Sequence, residues 1–173
     1  IHHVAFTLDG RLVLGTSRGL EVISLRDTRL RQVLRMDAGE TLVMESAADG
    51  LVVGFSSGDV VRYGGTPLVE RTRFQLPRDA RVGSIALVGE RTFVAAAGRL
   101  FVHSASALSE VPMGGTGARR DLAVGAGRAG EIIVAGGSHL ARISAQSHAV
   151  LGTGTSEARS EEHTSELQSP LNI

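Results

Sequence analysis

The chain contains no cysteine, no lysine and no tryptophan, and its only tyrosine is Tyr63. The lack of cysteine excludes disulfides, thiol chemistry and cysteine-based zinc sites within this sequence, but it does not indicate a cellular compartment. All 18 basic residues are therefore arginine, and the only asparagine is Asn172. Because lysine and asparagine have AT-rich codons, this bias predicts a high-GC, bacterial gene.

Long apolar runs and an excess of either charge are also missing. No stretch of 18 apolar residues and no signal-peptide pattern is present, so the sequence predicts no membrane segment here. The formal net charge is zero, which gives no indication of a nucleic-acid partner. The first methionine is Met36, so we expect the natural N-terminus to lie upstream of Ile1. The localisation stays open.

Turn signals recur about every forty residues along the chain. Gly10, Gly50, Glu90 and Gly130 occupy the same place in four successive units. Each is followed by a short apolar run, a Gly-rich break and a second short run, and another run precedes each turn. The runs are four to eight residues long, rich in Val, Ile and Leu, and bounded by Gly, which is typical of β-strands. The runs after the turns are LVLG, LVVG, TFVA and IIVA, then LEVIS, VVRYG, LFVHS and LARIS.

This repeat predicts an all-β fold: a partial β-propeller of about four blades, each a four-stranded antiparallel meander with a period of about 40 residues. One such sheet cannot bury both of its faces, so neighbouring sheets supply the core. The alternative is a β-sandwich or an unclosed β-rich domain, in which turns recur about every eight to twelve residues without a longer period. The expected blades are residues 1–36, 41–76, 83–113 and 121–153, within a propeller segment of residues 1–158.

Short motifs in the first two units resemble known propeller repeats. The first unit, DGRLVLGTSRGLEVI, is similar to two-component-regulator propellers in its Asp9-Gly10, Gly15-Thr16 and Gly19-Leu20 pairs, although Val13 replaces that family's usual Trp. The second unit, DGLVVGFSSGDVVRY, resembles WD40 repeats in its turn before a strand, without their Trp-Asp pair. Both resemblances imply a propeller whose ligands and partners meet the loops on one face of the ring.

The C-terminal stretch RSEEHTSELQSPLNI, residues 159–173, breaks the repeat. A further blade would begin near residue 164 with an apolar strand, but Thr164, Ser165 and Glu166 stand there. The stretch RSEEHTSELQS resembles, residue for residue, the translation of a common sequencing-library adapter. We therefore expect residues 159–173 to be adapter read-through rather than native protein. An acidic functional tail is the alternative.

Two glycine-rich stretches allow a binding interpretation. Gly125, Gly127 and Gly130 match the GxGxxG dinucleotide pattern, but that site needs a helix after the glycines, and the apolar run EIIVAGG predicts a strand. We therefore predict a hairpin turn there. The loop GGTGARR places Arg119 and Arg120 beside several backbone amides, which predicts either an anion-binding loop or an ordinary connection between blades.

The histidines and serines indicate no catalytic or metal site. His103 occupies the position of Ile23 and Ile143, so we expect a strand residue with a local hydrogen bond. No HxH, HExxH or GxSxG spacing occurs, so the sequence predicts no metal, no cofactor and no catalytic residue. On the loop face that the propeller resemblance implies, the candidate binding residues are Arg18, Arg81, Arg99, Arg119, Arg120 and His139.

A non-catalytic module that binds a protein or a small ligand, inside a larger bacterial regulatory protein, is therefore the predicted function. Its further partners would be the missing blades of the same chain. The alternative is part of a propeller enzyme whose active site lies in the central channel. Such an enzyme should show polar groups repeated on the innermost strands, and only Glu45 and Asp121 stand out there.

Overall fold

The computed structural model describes residues 1–17, 19–35, 39–78, 80–105, 107–113, 122–128, 130–137 and 139–155. Within these ranges the chain forms sixteen β-strands. No helix in this part of the chain is long and apolar enough to cross a membrane. The strands are β1 (His3–Phe6), β2 (Arg11–Thr16), β3 (Gly19–Ser24), β4 (Leu30–Arg35), β5 (Thr41–Ala47), β6 (Gly50–Phe55), β7 (Asp59–Gly64), β8 (Val69–Gln75), β9 (Val82–Val88), β10 (Arg91–Ala96), β11 (Arg99–Ser104), β12 (Ala107–Val111), β13 (Ala123–Ala126), β14 (Glu131–Gly136), β15 (His139–Ser144) and β16 (Val150–Thr155).

The strands form four antiparallel sheets of four strands, and each sheet follows chain order. Sheet 1 contains β1–β4, sheet 2 β5–β8, sheet 3 β9–β12 and sheet 4 β13–β16. The first strands of consecutive sheets contact one another, β1 with β5, β5 with β9 and β9 with β13. They form the innermost row of the assembly. The predicted all-β fold of four-stranded meanders is therefore confirmed.

Three apolar cores lie between consecutive sheets. Val13, Leu20 and Val22 of sheet 1 pack on sheet 2, for example on Leu51 and Tyr63. The opposite face of sheet 2 packs on sheet 3, and the far face of sheet 3 packs on sheet 4. Sheets 2 and 3 are thus covered on both faces, which explains why β6 is buried along its whole length. The second strands of these sheets, β6 and β10, read as near-continuous apolar runs for the same reason.

The outer faces of sheets 1 and 4 stay open. Phe6 and Val33 of sheet 1 are 58% and 52% exposed, and Ile133 and Leu140 of sheet 4 are 37% and 43% exposed. Along β2 and β14, buried residues alternate with less buried ones, so each end sheet has one covered and one open face. The strands of the four sheets span His3–Arg35, Thr41–Gln75, Val82–Val111 and Ala123–Thr155. Residues 159–173 lie outside the described part of the chain.

Sheet 2 departs by one residue from the forty-residue register. Its second turn holds three residues between Phe55 and Asp59, whereas sheet 3 joins Ala96 to Arg99 through two. Its first turn is shorter than that of sheet 1, with two residues between Ala47 and Gly50 against four between Phe6 and Arg11, and β7 still begins 40 residues after β3. As a result Leu51, and not Val52, takes the position of Leu12. Because side chains alternate between the faces of a strand, this shift decides which residues of β6 face sheet 1.

The GxGxxG stretch forms a hairpin, as predicted. The backbone N–H of Gly127 donates to the carbonyl of Glu131 at 2.8 Å, and β13 pairs with β14 on either side of the turn. Gly130 has a φ of +77°, which the turn requires and which L side chains rarely adopt. The strand β14 follows directly, so no helix N-terminus stands beside the glycines to hold a pyrophosphate.

Candidate functional site

Three of the predicted loop residues, Arg81, Arg99 and His139, lie at one end of the sheets, which we call the connection end. It holds the turns between the second and third strands of each sheet and the segments that lead from one sheet to the next. Ala96 pairs with both Val82 and Arg99, so Arg81 and Arg99 lie at the same edge of sheet 3. Arg81 is exposed and lines an open depression of about 520 Å³ with Val82, Gly83 and Ala97.

Arg99 is held by its own sheet. Its Nη1 atom lies 3.4 Å from Oε2 of Glu110, which is on the neighbouring strand β12. Its guanidinium carbon also lies 5.1 Å from the centre of the Phe101 ring, a distance at which cation–π attraction acts. The ion pair is exposed and contributes little to folding stability. Arg99 is therefore oriented by Glu110 and Phe101 while part of its side chain still faces solvent.

His139 takes in sheet 4 the position that Arg99 takes in sheet 3, because it begins β15 and pairs with Gly136. Its side chain is exposed and lies beside Met113 and Leu122. The other three candidates, Arg18, Arg119 and Arg120, lie outside the described residues. The structure therefore places Arg81, Arg99 and His139 at equivalent ends of neighbouring sheets.

Charged groups are sparse on the innermost strands. Glu45, on β5, is the only carboxylate in β1, β5, β9 and β13, and partial burial raises its pKa. Asp121 lies outside the described residues. No group of three or more His, Asp or Glu side chains that could hold a metal ion occurs within the described ranges. On the described innermost strands Glu45 thus has no second carboxylate of the kind that a catalytic carboxylate pair requires.

A polar cavity lies at the opposite end, between sheets 2 and 3, and the sequence did not indicate it. It measures about 340 Å³. Arg62 reaches from sheet 2 to the turn of sheet 3, with Nη1 3.3 Å from Oε2 of Glu90. Its Nη2 lies 3.1 Å from Oδ1 of Asp49. The lining residues are Arg62, Thr72, Phe74, Glu90, Thr92, His103 and Ala105.

His103 forms one wall of this cavity. It is 8% exposed, and its ring stacks on Phe74 with centroids 4.2 Å apart and planes inclined by 3°. Burial lowers the pKa of His103, which favours the neutral imidazole. The predicted strand position is right, but its ring makes no hydrogen bond with another described residue. The predicted local hydrogen bond is therefore replaced by aromatic stacking.

Comparison with known proteins identifies the architecture. No family model matches the chain, and no curated protein sequence matches it. Among solved structures, the Neurospora crassa Pan2 WD40 domain matches 89% of the chain with a TM-score of 0.68 and 13% identity. The mitotic checkpoint complex matches over 88% with a TM-score of 0.73 and 13% identity. A chain of U3-55K matches over 86% with a TM-score of 0.70 and 17% identity.

The fold is a partial β-propeller. The chain spans 49% of the Pan2 domain and 50% of the matched chains of the checkpoint complex and U3-55K, about half of each. The four sheets are therefore blades, and β1, β5, β9 and β13 are the innermost strands of the propeller. The sequence-based expectation of a propeller with WD40-like blades is confirmed at the level of the fold.

Proposed function

We propose that this propeller is a non-catalytic binding module, within a larger bacterial regulatory protein, and that its connection end meets a protein or small-ligand partner. The observation that carries the proposal is the shared position of Arg81, Arg99 and His139, at the same end of neighbouring blades. Loops that a rigid scaffold positions are the usual place for recognition. Arg81 forms no ion pair with another described residue, so its charge is available to a partner.

The similar solved structures support this proposal. One of them is a propeller within the mitotic checkpoint complex, a multiprotein assembly. The innermost strands support it as well, because Glu45 is their only carboxylate in the described residues. A channel enzyme would need further groups from elsewhere. From the similar structure within a complex and the single carboxylate on the innermost strands, we infer that the partner is a protein and not a substrate.

Further blades of the same protein are the partners we propose for the open faces. Leu12, Leu14 and Ile23 on the outer face of blade 1 occupy the positions of Leu51, Val53 and Tyr63 in blade 2. Those three residues of blade 2 are 0–3% exposed because blade 1 covers them. An additional blade would bury the outer face of blade 1 in the same way.

Charge reversal at the connection end tests the proposed function. A photo-cross-linking residue at the exposed Ser57, in the turn between β6 and β7, should capture a partner in cells that express the native gene. Arg81→Glu should reduce that cross-link about fivefold or more, since one well-placed charge contributes roughly 1 kcal/mol. Arg26→Glu, at the opposite end of blade 1, is the matched control and should leave it unchanged. Equal cross-linking in both variants would contradict the proposal that the partner binds at the connection end.

A further inference from the structure

The interface between blades 2 and 3 carries polar residues where the other two interfaces are apolar. Arg62 takes the position of Val22 and Val102, both 1% exposed. Thr92 and His103 replace equally buried residues of the other interfaces. Leu51 and Ile132 occupy the position of Thr92, and Tyr63 and Ile143 occupy the position of His103. Two interfaces show that the fold accepts apolar residues here, so the polar set is not required for packing.

The same interface lacks the arginine that closes its neighbours. Arg11 of blade 1 donates from Nη1 to the carbonyl of Gly65 in blade 2 at 3.0 Å. Arg91 of blade 3 donates in the same way to the carbonyl of Ala145 in blade 4. Gly50 occupies this position in blade 2, so no arginine side chain reaches from it towards blade 3. The entrance to the cavity between blades 2 and 3 is therefore open to solvent.

Several polar groups face this cavity without a hydrogen-bond partner among the residues that the structure describes. The hydroxyls of Thr72 and Thr92 and the ring nitrogens of His103 form no hydrogen bond with another described residue. Thr92 is 4% exposed and His103 8% exposed, so both are nearly enclosed. Polar groups that are enclosed in this way are satisfied by water or by a ligand. A volume of about 340 Å³ falls in the range of small-ligand sites.

The charges around the cavity select the sign of the ligand. Arg62 and Glu90 line the cavity with one positive and one negative charge, and the Glu90 side chain is 91% exposed. Asp49, which pairs with Arg62 outside the lining, adds a second negative charge. Threonine hydroxyls and a neutral imidazole can both accept hydrogen bonds. The stacked Phe74–His103 pair offers an aromatic surface against which a planar cation packs well. A guanidinium group has five donors, no acceptor and a positive charge, and it fits all these features.

We propose that the cavity between blades 2 and 3 is a binding site for the guanidinium group of an arginine side chain on a peptide or protein partner. Glu90 accepts its hydrogen bonds at the entrance, and Thr92 and His103 accept them inside. This site lies at the end of the propeller opposite Arg81, Arg99 and His139. It is therefore independent of the function proposed for the connection end.

Titration with capped amino acids tests the site directly. N-acetyl-L-arginine amide is added to the isotope-labelled protein, and the shifts of the His103 ring and the Thr72 and Thr92 methyls are followed by NMR. We expect saturable shifts at these three residues. N-acetyl-L-citrulline amide, which has the same shape without the charge, should bind at least fivefold more weakly. N-acetyl-L-glutamate amide should not shift them.

Two variants separate the site from the fold. Glu90→Gln removes an exposed carboxylate in a turn and should weaken arginine binding about fivefold, since an exposed ion pair contributes at most roughly 1 kcal/mol. His103→Ile restores the residue type of Ile23 and Ile143 and should abolish binding while the protein remains folded. Equal binding of the arginine and citrulline probes would overturn the proposal. So would tighter binding of the glutamate probe, or unchanged arginine binding in both variants.

Discussion

Close approach between blades 2 and 3 makes a sharp prediction at Gly54, near the connection end of β6. A β-carbon at Gly54 would lie 2.6 Å from Cγ1 of Val82 and 2.9 Å from Cγ1 of Val43. Both distances are shorter than real carbon contacts, and Val82 is 4% exposed on the first strand of blade 3. Because a valine side chain has little freedom about its first torsion, the methyl cannot simply turn away. Gly54→Ala must therefore push the innermost strands of the two blades apart.

The cost can be separated from the general effect of removing a glycine. Overpacking of a well-packed core costs about 1–3 kcal/mol. Replacing glycine by alanine also stabilises by about 0.4–1 kcal/mol through the unfolded chain. Gly125 is the matched control, because it lies in strand β13 and a β-carbon there meets nothing within 4 Å. The unfolded-state gain is the same in both variants, so their difference isolates the contact with Val82 and Val43.

Urea unfolding followed by circular dichroism measures that difference. We expect Gly54→Ala to be less stable than Gly125→Ala by about 1–3 kcal/mol. This corresponds to a melting temperature lower by about 2–12 °C, at roughly 2–4 °C per kcal/mol. If the two variants unfold within about 0.5 kcal/mol of each other, the close packing of the innermost strands is wrong.

A second substitution tests whether Val82 causes the effect. Val82→Ala alone should destabilise the protein, because it removes buried methyl groups. In the Gly54→Ala background the same change should cost less, because the removed methyl is the one that clashes. The double-mutant cycle should give a favourable coupling of at least about 0.5 kcal/mol between the two positions. Simple additivity would place the strain of Gly54→Ala elsewhere.

Three further predictions concern buried groups. Burial raises the pKa of Tyr63, the only tyrosine, to about 12, so the phenolate absorbance of the native protein should rise near pH 12, against 10.0 in denaturant. Between these two pH values the stability should fall, because only the unfolded chain has lost the proton. A native titration midpoint of 10 would contradict the burial of Tyr63. Burial lowers the pKa of His103, so the unfolded chain binds a proton first and the stability should fall as the pH drops below about 6.5. His103→Ile should reduce this loss of stability in urea titrations, and an unchanged pH profile would argue against a role of His103. Val53→Gln should lower the stability by about 2–5 kcal/mol and Leu14→Gln by less than about 1 kcal/mol. The two positions are equivalent in their blades, but blade 1 covers Val53 and no described blade covers Leu14. Equal losses in thermal melts would mean that the outer face of blade 1 is covered.

The strands were predictable because they follow from local patterns. Turn glycines such as Gly10 and Gly130 bound short apolar runs, and both adopt the positive φ that favours glycine. The hairpin at GxGxxG was predictable for the same reason, since a strand follows it. The candidate residues Arg81, Arg99 and His139 were found from their place in the repeat, and the structure puts them at one end of the sheets. Whether they bind a partner is still a prediction.

The cavity could not be predicted, because its residues come from four strands and two turns of two different blades. A signal existed in His103, which stands where Ile23 and Ile143 stand. Its meaning depended on Arg62, which is 41 positions earlier in the chain and on the facing sheet. The alignment by a constant period also concealed the shift in β6. In blade 2 the first turn is shorter and the second turn is longer, so the period of about 40 residues is kept. The residues of β6 are nevertheless shifted by one position and therefore lie on the opposite face from the one that the period indicates.

The sequence by itself determined the strands, their turns and the repeat, since each depends on residues that are close along the chain and on backbone preferences that act locally. Tertiary structure alone decided which face of each strand is buried and which side chains of neighbouring blades contact one another. Leu51 and Leu12 hold equivalent positions, yet only Leu51 is covered by another blade. Burial and the environment of a charge such as Arg62 depend on the neighbouring sheet, and no single strand contains that information.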